Sequence, residues 1–126
     1  MVFSQCKAQS ENITDQSKST IEVRADIAEK KTKSKIELEK TYNESVRFLD
    51  SIGNSDAENY KSFLIDSQNG WEIYCEGKCK IIEYQSRDGA QGGLPFYNIC
   101  ITEQNDMRTT ELKNWMAEWK REFEDD

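Results

Sequence analysis

Four cysteines and a surplus of carboxylates are the residues of this chain best placed to do chemistry, and histidine is missing altogether. Without imidazole there is no Ser-His-Asp or Cys-His relay and no His-ligated metal. The cysteines are Cys6, Cys75, Cys79 and Cys100. Cys75 and Cys79 stand four apart, one helical turn, where bonding to each other is geometrically awkward. Each is therefore expected to reach a partner on a neighbouring segment, and four cysteines allow three connectivities. A four-cysteine zinc site is the alternative, but the spacing is not the two-residue knuckle such sites favour, so disulfides are preferred and neither metal nor cofactor is expected. With 24 acidic residues in 126, chance carboxylate pairs are unavoidable, and a glycosidase-like acid pair carries little weight. Gly89, Gly92 and Gly93 follow no strand and do not make a phosphate-binding fingerprint.

The elements that must position these groups are helical. Residues 1–52 contain neither glycine nor proline. Ser19-Thr20-Ile21-Glu22 has the spacing of a capping box. Leu38, Tyr42, Val46, Leu49 and Ile52 then recur at steps of three and four, as one face of a helix requires. Ile21, Val23, Ala25 and Ile27 alternate, which would suit a short strand equally well. Lys30, Lys31, Lys33 and Lys35 read as a solvated face. Gly53-Asn54-Ser55 is a turn, and Ser55-Asp56-Ala57-Glu58 reads as a second capping box. Tyr60, Phe63, Leu64, Trp71, Tyr74, Cys75 and Ile82 continue at roughly helical spacing. A break is expected from Gln85 to Pro95, then a third helix from Phe96 through Met107 and Leu112 towards Trp119. Residues 1–18 and 121–126 are expected to be loose ends. The expectation is an all-α fold over residues 1–126: one domain, an antiparallel bundle of three helices with room for a fourth, stapled by disulfides.

Composition narrows the partners. The apolar fraction is 36% and the charged fraction 33%, so the core is thin and staples are expected. A net charge of −7 repels nucleic acid and anionic lipid and favours a cationic protein partner. The longest apolar stretches are a few residues, such as Phe63-Leu64-Ile65, too short to insert in a membrane. The opening Met1 to Cys6 reads as a mature chain with an added methionine, its signal peptide removed, and Cys6 as half of a disulfide rather than a lipid anchor.

One stretch carries an ordered motif. Gln68, Trp71, Tyr74, Cys79, Gly89, Gly92, Cys100, Arg108 and Leu112 succeed one another at set intervals, preceded by Ser19 with Glu22 and by Leu38 with Tyr42. The set resembles the LprI-type lysozyme-inhibitor family of bacterial exported proteins, with the motif region at 67–112. The family usually has a cysteine where this chain has Asp26, and Cys75 is additional. The resemblance implies a Cys79–Cys100 disulfide and, if the missing bridge has been relocated, a Cys6–Cys75 disulfide as well. It also implies a periplasmic or secreted, non-enzymatic protein that inhibits a peptidoglycan-cleaving enzyme (a lysozyme or a secreted toxin, as an immunity protein would). The alternative is a non-inhibitory accessory domain of an envelope complex. Trp71, Tyr74 and Leu112 are expected in the core, and Arg108 in a structural ion pair or helix contact. The partner surface is expected on the loop between Cys79 and Cys100. There Ser86, Arg87, Asp88 and Gly89 put a guanidinium where it could meet a carboxylate in bidentate fashion.

Overall fold

The computed structural model describes residues 19–124. Among them are three helices and no strand: α1 (Thr20–Ile52), α2 (Ser55–Gln85) and α3 (Leu94–Glu124). Each has 31 to 33 residues and so runs about 47 Å at 1.5 Å per residue. Lys31 meets Asn98 and Ser45 meets Met116, so α1 and α3 run parallel. Tyr60 meets Glu122, Arg108 meets Gln68, and Cys79 is bonded to Cys100, so α2 runs antiparallel to α3. The result is an up-down-up bundle.

Local sequence sets most of the boundaries. The Ser19 hydroxyl accepts a hydrogen bond from the Glu22 amide at 3.2 Å and caps α1. The segment from Ile21 to Ile27 is helical, and only Ile27 of its four alternating apolar residues is buried. Gly53 ends α1 in the left-handed region, with φ 70°, and its amide bonds back to the Leu49 carbonyl. Asn54 is then already at the cap of α2, its side chain accepting from the Ala57 amide at 2.8 Å. The expected box at Ser55 to Glu58 is thus corrected by one residue, since Asn caps as well as Ser and stands directly after the turn.

Two further boundaries differ from expectation. The third helix begins at Leu94, not Phe96, because proline needs no amide partner in a first helical turn and Pro95 fits there. Residues 121–124 are not loose. Phe123 packs on Phe48 and Tyr60, with ring centroids 6.5 and 6.0 Å apart, and holds α3 in helix to Glu124.

The apolar core gathers Leu38, Leu49, Ala57, Leu64, Leu112 and Trp119. Tyr42, Phe48, Tyr60, Trp71, Trp115 and Phe123 pack around them. This core lies along the half of the bundle nearer the Gly53–Asn54 turn. In the other half the interior is more polar: Ser34, Asn98, Gln104 and Asn105 are buried alongside Ile27, Ile99, Cys75, Cys79 and Cys100.

Candidate functional site

The 86–93 loop sits at the polar end and is tied down from three directions. Cys79 and Cys100 form a disulfide beneath it, with Cα atoms 5.6 Å apart, fixing the end of α2 to the start of α3. The Gly93 backbone lies against that of Glu83, so close that a Cβ would meet the Glu83 carbonyl oxygen. Only glycine allows that approach. From α1, the Arg24 guanidinium donates to the Gln91 carbonyl oxygen at 3.0 Å and to its side-chain oxygen at 3.3 Å. Within the loop, successive turns carry the chain round: Arg87 N–H to Tyr84 O, Gly89 N–H to Ser86 O, and Gly92 N–H to Gly89 O. Gly92, with φ 69°, completes the return into α3. Such a loop has little conformational freedom left to lose on binding.

Ser86 is half-buried, whereas Arg87, Asp88 and Gly89 are exposed. The Arg87 guanidinium lies 3.7 Å above the Tyr84 ring centroid, donates to the Tyr84 carbonyl at 2.8 Å, and has its Nε 3.8 Å from the Asp88 carboxylate. One of its five N–H groups is engaged by the carbonyl, which orients the group and leaves donors for a ligand. Tyr84, 64% exposed, shares this surface. Sequence reading missed Tyr84; an aromatic residue three positions before an arginine at a helix end was the available signal.

The motif residues divide between frame and surface. Arg108 is only 4% exposed, and each of its three guanidinium nitrogens has a partner. Nε donates to Gln68 Oε1 at 2.9 Å, Nη1 to Glu111 Oε1 at 2.6 Å, and Nη2 to Ser67 Oγ at 2.8 Å. The Trp71 and Trp115 ring centroids lie 5.8 and 5.2 Å from its central carbon. Arg108 therefore joins α3 to α2, a charge accepted in the interior because its donors are satisfied. Leu112, one turn on, is fully buried. Trp71 is half-buried at the edge of the core. Tyr74 is a correction: expected in the core, it is 63% exposed. It lies three residues beyond Trp71, while the inward face passes through Gln68 and Cys75, and its ring meets Lys78 instead.

Cys75 carries a free thiol, buried and within 3.6 Å of the Gln104 side-chain oxygen. Burial pushes the thiol pKa above its ordinary value, against weaker pulls from Lys78 and Arg108. Cys6, its expected partner, lies outside the described residues. Among the described residues no three cysteines, carboxylates or imidazoles are grouped to hold a metal, and no helix is long and apolar enough to cross a membrane. Lys31 is not simply solvated, since its ammonium bonds Asn98 Oδ1 at 3.0 Å and lies over the Tyr97 ring.

Comparison with known proteins agrees with the motif. The family model described as lysozyme inhibitor LprI matches residues 10–112. Neither a curated protein nor a solved structure matches the chain.

Proposed function

The chain belongs to the lysozyme inhibitor LprI family, and from that premise we propose that it is an exported, non-enzymatic protein that blocks a peptidoglycan-cleaving enzyme. The family match is the observation that carries this reading. The disulfide supports it, because such bonds persist in oxidising compartments such as the periplasm or the extracellular space. The net charge of −7 suits a cationic hydrolase or toxin as target.

Within this reading the contact is the 86–93 loop, with Ser86, Arg87, Asp88 and Gly89 as its first half. Peptidoglycan hydrolases that cut glycosidic bonds use a pair of carboxylates. A rigid loop carrying a guanidinium on an aromatic ring suits entry into such a cleft, where Arg87 would bond a carboxylate. The test is lysis of a peptidoglycan suspension by a cationic lysozyme, with and without the protein. Inhibition that falls at least tenfold in a Ser86→Ala, Arg87→Ala double variant supports the loop. Undiminished inhibition moves the contact elsewhere. No inhibition of any hydrolase tried would leave a non-inhibitory accessory domain of an envelope complex.

A further inference from the structure

At the end of the bundle away from the loop, α2 and α3 enclose a groove of about 320 Å³. Phe63 and Trp115 line it together with the paired rings of Tyr60 and Trp119, and Glu118 and Glu122 are among the lining residues. Phe63 is 67% exposed, a large apolar surface at the lip. The Tyr60 hydroxyl donates to the Glu122 carboxylate at 2.7 Å, and its ring centroid is 5.4 Å from that of Trp119. Its phenol is held above the ordinary tyrosine range, first by that hydrogen bond and then by burial and the charges of Glu122, Asp56 and Glu118. Three carboxylates thus act on one ring, and two of them, Glu118 and Glu122, line the groove. Among the described residues, none of the three forms an ion pair with a cation.

Aromatic walls and unneutralised carboxylates select a ligand by two criteria. The carboxylates exclude anions and attract a cation, and the indole faces favour one that is flat and weakly hydrated. A guanidinium meets both criteria, stacking on a ring while donating two parallel bonds to a carboxylate. The molecule already pairs these groups on its own account, since Arg108 lies over Trp115. We propose that the α2–α3 groove is a docking site for an arginine side chain of a cationic partner protein, stacked on the aromatic lining and bonded by Glu118 and Glu122. The inhibitor reading supplies only the identity of that partner, and the arginine site stands or falls independently of it.

The test follows tryptophan fluorescence of the full chain during titration with a hexa-arginine peptide. Saturable binding is expected, with Kd raised at least tenfold in the Glu118→Gln, Glu122→Gln double variant and unchanged in Arg87→Ala. Circular dichroism confirms that the exposed Glu→Gln changes leave the fold intact. No saturable signal, equal affinity in the double variant, or equal affinity for hexalysine would overturn the proposal. So would a rise in molecular mass with protein concentration that the double variant abolishes, because the groove would then seat a second copy. Lysozyme inhibition measured on the same proteins separates the two readings. Arginine binding without inhibition keeps the groove and removes the inhibitor reading, whereas inhibition without arginine binding removes the groove alone.

Discussion

Near the Gly53–Asn54 turn the three helices meet through Leu49, Ala57, Leu64 and Trp119, ringed by Phe48, Tyr60 and Phe123. At the far end, beneath the 86–93 loop, they meet through a disulfide and through hydrogen bonds between side chains. There Lys31 bonds Asn98, Asn105 bonds Ser34, and Tyr97 bonds Glu76. The first end gains stability from apolar burial, which is non-directional and tolerates small shifts. The second depends on directional bonds, which hold one geometry and fail if it slips. A sequence with 36% apolar residues cannot fill the interior along helices of this length. It concentrates its rings at one end and cross-links the other. The loop thereby stands on the more rigidly specified end, and the aromatic groove on the more plastic one.

The sharpest way to break this contrast is to remove a ring from the aromatic end. Trp119→Ala should lower unfolding stability by about 3–5 kcal/mol in a denaturant titration, as large aromatic truncations in cores do. A loss below about 1 kcal/mol would mean that the apolar cluster is not what holds that end. At the polar end, the Cys79→Ala, Cys100→Ala pair should lose about 3 kcal/mol, the loop-closure contribution for cysteines 21 positions apart. Amide exchange should then accelerate at the 86–93 loop more than around Trp119. Uniform acceleration would show that the two ends unfold as one unit.

Gly93→Ala should cost about 1–3 kcal/mol, as overpacked sites do, because the new methyl would run into the Glu83 carbonyl and force α2 and α3 apart. Neutral behaviour would mean that the loop is less closely held than its contacts indicate. A smaller effect is expected from alkali. Burial, and then the bond to Glu76, push the Tyr97 phenol up to about 12. The folded state favours the neutral phenol, so its contribution is complete below about pH 10 and is lost as pH rises towards 12. Tyr97→Phe should therefore flatten the fall in stability between those values, and an identical fall in both proteins would assign it to other groups. Smallest of all is the effect of Arg87→Ala on stability, under about 0.5 kcal/mol by thermal unfolding, since the side chain is exposed.

The helices themselves were legible in the residues. Ser19 and Gly53 bracket α1 with a cap and a left-handed stop, and the absence of glycine and proline between them leaves a helix as the consistent choice. The break after Gln85 was equally plain from its glycines. The Cys79–Cys100 bond came into view only through resemblance to a family, because spacing disfavours Cys75–Cys79 and leaves the other pairings open. What tertiary structure alone decided is which side of each helix faces inward once two neighbours are present. Periodicity offered Tyr74 and Trp71 as equal candidates, yet one is exposed and the other half-buried. Arg108 was expected in a structural ion pair or helix contact, but its partners Ser67 and Gln68 lie about forty positions away in the chain and could not be named from it. The groove at Tyr60 and Trp119 is of the same kind. Local sequence fixes backbone conformation through caps, turns and propensity, acting over a few residues. Side-chain partnerships across helices depend on how long elements rotate and slide against one another, and only the packed structure sets that.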